Sequence, residues 1–130
     1  MQTSFTDQQL ENKENKSSES ILRKCVHCGM CNATCPTFAI SGDELEGPRG
    51  RIYLIKDMLE NKKPANKKIA QHIDSCLSCY GCMTTCPSGV NYMHLIDHGR
   101  NYVEETYKRP LLDKLFRNIL SYILPKPKIF

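Results

Sequence analysis

The sequence predicts an all-α domain that carries two cysteine-rich loops. Apolar residues recur at helical intervals in several segments, whereas no segment alternates convincingly between apolar and polar residues as a strand would. Eight cysteines fall into two short runs, and the 40 residues between the runs hold a helical pattern and a basic loop. A chain of 130 residues has a modest core, so we expect the cysteines to hold something that adds stability.

Apolar spacing predicts the helices in chain order. Residues 1–19 are polar and aperiodic, so we expect a mobile arm there and a first helix that starts with Ser20 as its N-cap. Between the cysteine runs, a three-turn helix ending at Glu60 is predicted by apolar residues at Ile52, Ile55, Met58 and Leu59. A further helix leading into the second run is predicted by Ile69, Ala70 and Ile73. Residues 20–107 are expected to form the folded domain.

The C-terminal segment, residues 108–130, is predicted to be an amphipathic helix from Leu111 to Leu124 followed by a tail. A domain this small cannot easily bury so apolar a helix, and basic residues flank it. We expect the helix to dock on a partner or on a further domain, with peripheral contact to an anionic membrane surface as the alternative. No apolar run reaches the roughly 18 residues that a membrane span needs.

An internal repeat with a 51-residue shift organises the chain. Each copy has the pattern C-x₂-C-x₂-C-x₃-C-P, and the matching residues are Cys25, Cys28, Cys31, Cys35 and Pro36 in the first copy and Cys76, Cys79, Cys82, Cys86 and Pro87 in the second. Two residues between successive thiolates let three of them reach three corners of a cubane, so the fourth corner needs a ligand from elsewhere. The motif therefore predicts two [4Fe-4S] clusters.

In the general form of this motif, the fourth cysteine of each run serves the other cluster. That general form assigns four cysteines to cluster one, namely Cys25, Cys28, Cys31 and Cys86. It assigns the other four to cluster two, namely Cys76, Cys79, Cys82 and Cys35. The assignment comes from the motif, since spacing alone does not establish the exchange.

Three other uses of the cysteines stay open as alternatives: zinc, disulfides and a [3Fe-4S] variant. Residues 1–23 contain no apolar stretch like that of a signal peptide, so we expect a cytoplasmic chain, and disulfides are rare in that compartment. A Cys₄ zinc scaffold commonly uses two C-x₂-C pairs and would not call for a third cysteine and a Cys-Pro pair in each run.

Charge and motif content exclude several function classes. The chain has 18 Lys and Arg against 14 Asp and Glu, and a formal net charge of +4 is too small to indicate a nucleic-acid partner. Each oxidised cluster with four thiolates would add about −2, which brings the loaded domain near neutrality. The sequence contains no G-x-G-x-x-G and no paired acid–base constellation, so no catalytic residues are predicted on this chain.

A few residues beside the cysteines are candidates for smaller roles. Gly29 and Gly81 are expected to supply positive φ in the two loops. His27 is a candidate for tuning a cluster potential, set against the alternative of a partly exposed spacer. Arg49 and Arg51 could favour the reduced state of a cluster, set against the alternative of an ordinary solvated turn.

Histidine spacing does not predict a further metal site. Only His94 and His98, at i and i+4 on a predicted helix, have ligand-like spacing. The eight cysteines already fill eight ligand positions.

Five segments carry a resemblance that goes beyond cysteine spacing. They are ILRKCVHCGMCNATCPT at 21–37, GDELEGPRGRIYLIKDMLE at 42–60, CLSCYGCMTTCPSGVNY at 76–92, and the terminal RPLLDKLFRNIL and LPKPKIF. Together they make the stretch from Ile21 to Phe130 resemble the N-terminal part of the iron-sulfur subunit of bacterial glycolate dehydrogenase, also called glycolate oxidase. The GDELEGPRGRIYLIK piece is the most specific of them.

This resemblance implies a helical domain similar to the cluster domain of succinate dehydrogenase and fumarate reductase iron-sulfur subunits. It implies electron transfer from FAD-binding subunits, which oxidise glycolate to glyoxylate, towards a quinone-type acceptor. Members of the family typically continue with two further cysteine-rich modules, so we expect this chain to be a fragment. The alternatives within the class are iron-sulfur subunits of anaerobic glycerol-3-phosphate dehydrogenase, lactate utilisation and heterodisulfide reductase complexes.

Overall fold

A computed structural model describes residues 1–126, and over that range the chain is helical with no strand. The α-helices are, in chain order, α1 (Asp7–Leu10), α2 (Lys13–Lys24), α3 (Pro36–Ser41), α4 (Pro48–Asn61), α5 (Lys67–Asp74), α6 (Gly81–Thr85), α7 (Tyr92–Thr106) and α8 (Leu111–Ile123). Two 3₁₀-helices, Met30–Thr34 and Glu44–Glu46, lie between α2 and α4. The predicted all-α class is confirmed, and the end of the predicted tail, residues 127–130, lies outside the described range.

The core forms where α4 packs against α7. Ile55 of α4 and Leu95 and Ile96 of α7 are fully buried, and each contributes about 1.5–3 kcal/mol of hydrophobic stabilisation. Gly99 lets the two helices approach closely, because a Cβ there would lie 2.8 Å from Ile55 Cγ1. Helices α2 and α5 pack on the same pair. The two helices that lead into the cysteine runs, α2 and α5, therefore both pack on the α4–α7 pair.

The N-terminal residues differ from the predicted arm. Helix α2 begins at Lys13 with Asn12 as its N-cap, so the predicted start at Ser20 is wrong. Gln9 is buried and donates from Nε2 to two carbonyl oxygens at the end of α4, at 2.9 and 3.0 Å. Ser18 is fully buried against α7. Because polar side chains make these contacts, apolar periodicity does not reveal them.

The middle of the chain follows the prediction with shifted boundaries. Helix α4 starts at Pro48, four residues before the first apolar position used to predict it. Proline suits the first helical position because its missing N–H has no partner there anyway. Helix α5 covers the predicted segment before the second run.

The C-terminal helix α8 lies outside the core. It has no buried residue, and Leu111 is 86% exposed. Ion pairs join the beginning of α8 to Asp74 at the end of α5. Arg109 Nη1 lies 2.6 Å from Asp74 Oδ2, and Arg117 Nη2 lies 3.2 Å from Asp74 Oδ1. Within residues 1–126, no helix combines the length and the apolarity that crossing a membrane requires.

Gly50 lies where the first turn of α4 rests on the backbone of the 3₁₀-helix Glu44–Glu46. A Cβ at this position would lie 2.1 Å from Glu44 O. Because backbone cannot move aside cheaply, we expect Gly50→Ala to lower the melting temperature of the cluster-loaded protein by about 5 °C or more. Gly81→Ala is the matched control, since its nearest neighbour, Thr34 O, would lie 3.8 Å away. Equal melting curves for the two variants in circular dichroism would contradict this packing.

Candidate functional site

The two cysteine runs fold into loops that face each other. The 3₁₀-helix Met30–Thr34 packs on α6, and these segments occupy the same positions in the two copies of the repeat. Thr85 Oγ1 donates to Thr34 Oγ1 at 3.3 Å, and these threonines are also equivalent in the repeat. A contact between equivalent residues means that the loops are related by an approximate two-fold axis.

Both loops place left-handed backbone at the same two positions. His27 and Ser78 have φ of 59° and 53°, and Gly29 and Tyr80 have φ of 84° and 56°. The prediction of positive φ is right for Gly29 and wrong for Gly81, because the repeat equivalent of Gly29 is Tyr80. A non-glycine residue in this region costs roughly 1–3 kcal/mol and persists only where its surroundings enforce it. The second cysteine of each run lies between these two positions.

A first cavity lies beside the first loop and has about 450 Å³ of empty space, part of it open to solvent. The four cysteines that the motif assigns to cluster one all line it, namely Cys25, Cys28, Cys31 and Cys86. Cys82 also reaches this cavity.

A second cavity of about 300 Å³ lies beside the second loop. Three cysteines of the second run and one from the first run line it, namely Cys76, Cys79, Cys82 and Cys35. Pro48 and Tyr92 line both cavities and so, with Cys82, form the wall between them. The structure therefore brings together the two sets of four cysteines that the motif assigns to the two clusters.

The chemistry of the cysteines fits a metal cluster. All eight are free thiols. Burial, followed by the charges of Cys31, Cys76, Cys79 and Cys35, raises the pKa of Cys82 to about 12. Four neighbouring thiolates cannot stay charged together without a cation to offset them, and the iron of a cluster supplies that positive charge.

The surroundings of Cys35 favour the thiolate form. Burial alone would raise its pKa, but hydrogen bonds from Thr37 and from the backbone N–H of Phe38 and Thr37, together with the charge of Arg51, lower it. Thr37 Oγ1 lies 3.2 Å from Cys35 Sγ. Donors directed at a buried sulfur stabilise it as a metal ligand and raise the potential of the metal it binds.

In the first cavity, the buried nitrogen Nδ1 of His27 has no hydrogen-bond partner among residues 1–126. Burial, and then the charge of Arg49, lowers the pKa of this imidazole. Arg49 lies over Gly29, where a Cβ would come within 2.7 Å of Arg49 Nη1. A cofactor with acceptor atoms in this cavity would satisfy the nitrogen, so the residues present fit a cluster here too.

Arg51 is buried in the wall of the second cavity with 1% of its surface exposed. Its guanidinium lies 2.7 Å from Glu46 Oε2, donates to Ser75 Oγ at 2.9 Å and to the carbonyl oxygen of His72 at 2.6 Å. Nη1 lies 4.0 Å from Cys35 Sγ. Of the two alternatives for this residue, the solvated turn is wrong, because its charge is held inside the protein beside a predicted ligand.

Glu46 joins several side chains around Arg51. Although burial raises its pKa, hydrogen bonds from Ser75 and His72 and the charge of Arg51 together lower it. His72 Nδ1 lies 2.6 Å from Glu46 Oε1. The carboxylate therefore stays charged and holds the guanidinium in place.

Sequence reasoning missed Tyr92, which it treated only as an apolar position. Tyr92 is buried and its hydroxyl donates to Cys76 Sγ at 3.6 Å. It also missed Thr37, Glu46 and Ser75, which depend on the fold to meet Arg51. An acidic residue five positions before a singled-out arginine was the one available sign of the Glu46–Arg51 pair.

Comparisons with known proteins agree with this geometry. Residues 21–90 match the family described as "4Fe-4S dicluster domain". The chain is 51% identical over 130 residues to the glycolate oxidase iron-sulfur subunit of Escherichia coli (strain K12), covering 100% of this chain and 32% of that protein. It is 32% identical over 119 residues to the probable glycolate oxidase iron-sulfur subunit of Bacillus subtilis (strain 168), covering 90% of this chain and 27% of that protein.

The chain thus spans about a third of the length of the curated relatives that it matches. No solved structure matches it. The family match confirms two [4Fe-4S] clusters as the cofactors and disfavours the zinc scaffold.

The exchange of fourth cysteines can be tested by single substitutions. Cys35 lines the second cavity, so we expect Cys35→Ser to alter the EPR signal of the cluster beside Cys76, Cys79 and Cys82 and to spare the other one. Cys86→Ser is the matched control and should act on the first cluster. Damage confined in each case to the cluster of the same run would show that the exchange does not occur.

The charge of Arg51 should raise the reduction potential of the second cluster. We expect Arg51→Gln to lower that potential by about 50 mV, since a nearby positive charge stabilises the more negative reduced state and the Glu46 charge partly offsets it. Arg51→Lys keeps the charge and should shift the potential less. Arg49→Gln, beside the first cavity, is the control. Redox titration followed by EPR measures both clusters, and an unchanged second potential in Arg51→Gln would refute this role.

Proposed function

The chain belongs to the 4Fe-4S dicluster domain family, and we propose that it is the two-cluster part of a glycolate oxidase iron-sulfur subunit. In this proposal it transfers electrons within an oxidoreductase complex that acts on the CH–OH group of 2-hydroxy acids. The observation that carries the proposal is the pair of adjoining four-cysteine cavities, each completed by the other run. The names of both relatives favour glycolate over the related substrates.

We propose that the first cluster is bound by Cys25, Cys28, Cys31 and Cys86. The second is bound by Cys76, Cys79, Cys82 and Cys35. Two observations support this assignment. Each set of four cysteines lines one cavity, and left-handed backbone recurs at equivalent positions of the two loops. A bound [4Fe-4S] cluster accepts and releases one electron at a time, which suits it to follow a flavin that collects two.

The protein's part in this transfer is to fix two sites close together and to give each an opening to the surface. Pro48, Cys82 and Tyr92 are the wall shared by both cavities, so the route between the sites is short. Cys28 and Cys79 are exposed, one beside each cavity. Electrons can therefore enter beside one of these cysteines and leave beside the other.

The partners that this role requires are FAD-binding subunits, where glycolate becomes glyoxylate, and a quinone-type acceptor. The sequence predicts no catalytic residues on this chain, so the proposal places the oxidation on another chain. The exposed apolar side chains of α8 support a contact with the rest of the assembly at that helix. A peripheral membrane contact through residues 108–130 is the weaker alternative, because α8 exposes Asp113 beside its basic residues.

The chain alone should not oxidise glycolate. We expect anaerobically purified protein to contain about eight iron and eight sulfide, and to reduce no dye when glycolate is added. When flavin-loaded partner subunits are present, glycolate should bleach the absorbance of the clusters. Dithionite should bleach it without those subunits. Glycolate-dependent dye reduction by the flavin-free chain would refute the proposal that glycolate is oxidised on the partner subunits. Bleaching with lactate or glycerol 3-phosphate but not with glycolate would show that glycolate is not the substrate of the complex.

A further inference from the structure

Away from the cysteine loops, Glu14 of α2 meets His94 and His98 of α7. One ligand atom from each of these residues lies within 4.8 Å of the others. The closest measured pair, His94 Nε2 and Glu14 Oε2, is 3.8 Å apart. Two histidines four residues apart on a helix with a carboxylate from another element are a donor set that binds zinc. We propose that these three residues bind a first-row divalent cation of the Zn²⁺ class, separate from the iron-sulfur clusters.

Each of the two imidazoles has a ring nitrogen available to a metal. Ser18, which is fully buried, lies with its Oγ 2.7 Å from His98 Nδ1, so Nε2 remains as the ligand atom of His98. A hydrogen bond on the other ring nitrogen is the usual companion of a metal-bound histidine, because it fixes the tautomer and the ring orientation. The imidazole of His94 has a buried Nε2 without any hydrogen-bond partner among the described residues.

The electrostatics of the surrounding pocket favour a cation. Asp97 and Glu105 line the pocket beside Glu14, and neither lysine nor arginine is among its described lining residues.

Binding requires the three ligand atoms to close from separations of up to 4.8 Å. Ligands about 2.0–2.2 Å from a tetrahedral zinc stand roughly 3.4 Å apart, against 3.8 Å for the His94–Glu14 pair. Glu14 is exposed and free to rotate, so it can supply that movement. Water would complete the coordination, since the pocket is open on that side.

A cation here would join the supports of both cysteine loops. Helix α2 leads directly into Cys25. Helix α7 carries Tyr92, which contacts Cys76 Sγ, and Arg100, which donates to the carbonyl oxygen of Cys76 at 2.6 Å. Holding α2 on α7 would therefore stabilise the two loops together.

The test uses the cluster-loaded full chain under anaerobic conditions, with Zn²⁺ as the probe. Equilibrium dialysis with elemental analysis should find one zinc per chain at micromolar free zinc, with the iron and sulfide content unchanged. His94→Ala and His98→Ala should each weaken binding at least 100-fold, and Glu14→Gln about tenfold. Glu105→Gln, in the same pocket but outside the three ligands, is the matched control and should bind zinc nearly as tightly as the parent protein.

A second measurement separates metal binding from folding. Zinc should raise the melting temperature of the parent protein by about 5 °C and that of Glu14→Gln by clearly less, because only binding to the folded form stabilises it. The proposal is overturned if no stoichiometric zinc binds while iron is retained, or if His94→Ala and Glu14→Gln bind zinc like the parent. Loss of iron on zinc addition would also overturn it, since zinc would then be competing for the cysteines. Because Glu14 is exposed, its variant tests the site even if a histidine variant fails to fold.

Discussion

The two cysteine loops face each other so that cysteines of both runs line each cavity, and much of the structure follows from this arrangement. Cys86 can reach the first cavity and Cys35 the second only if the two loops face each other across a short distance. The packing of α6 on Met30–Thr34 meets that requirement. In the ligand assignment proposed above, neither half of the repeat closes its own site alone, so both fold as one unit. In a chain with a small core, ligands that join distant segments also offset part of the entropy of ordering them.

Arg51 shows why the segment between the runs is more than a connection. A buried guanidinium costs several kcal/mol unless charge and hydrogen bonds offset its desolvation. Glu46 supplies the opposite charge, and Ser75, Thr37 and the His72 carbonyl supply hydrogen bonds. An apolar side chain of similar volume would avoid that cost altogether. The placement of this charge beside the second cavity is therefore best explained by what it does to an anionic cluster and its thiolates.

The sequence predicted what depends on repetition and periodicity. The eight candidate ligands and the helices α4, α5 and α8 follow from spacing, which acts locally along the chain. The division of the cysteines into two sets comes from the general form of the motif and stays a prediction. Contacts between polar residues far apart in sequence could not be predicted. Gln9 on the α4 carbonyls is one example, and Ser18 on His98 is another. The expectation of an arm over residues 1–19 rested on a lack of apolar periodicity. Polar contacts of Gln9 and Ser18 position this segment, together with the buried Ile21 and Leu22 that follow it in α2.

The repeat determines which atoms line each cavity, but it does not make the two cavities alike. Around the first, Arg49 is partly exposed and His27 Nδ1 has no described partner. Around the second, Arg51 is buried, Thr37 lies beside Cys35 Sγ, and Tyr92 donates to Cys76 Sγ. Buried donors and positive charge stabilise the reduced state of a cluster more strongly than exposed ones, because water screens them less. Arg49, Arg51, Thr37 and Tyr92 lie outside the repeated motif, and His27 occupies one of its variable positions. Matching sets of cysteines therefore have different surroundings. Under the proposed ligand assignment, that difference favours the second cavity as the more readily reduced of the two sites.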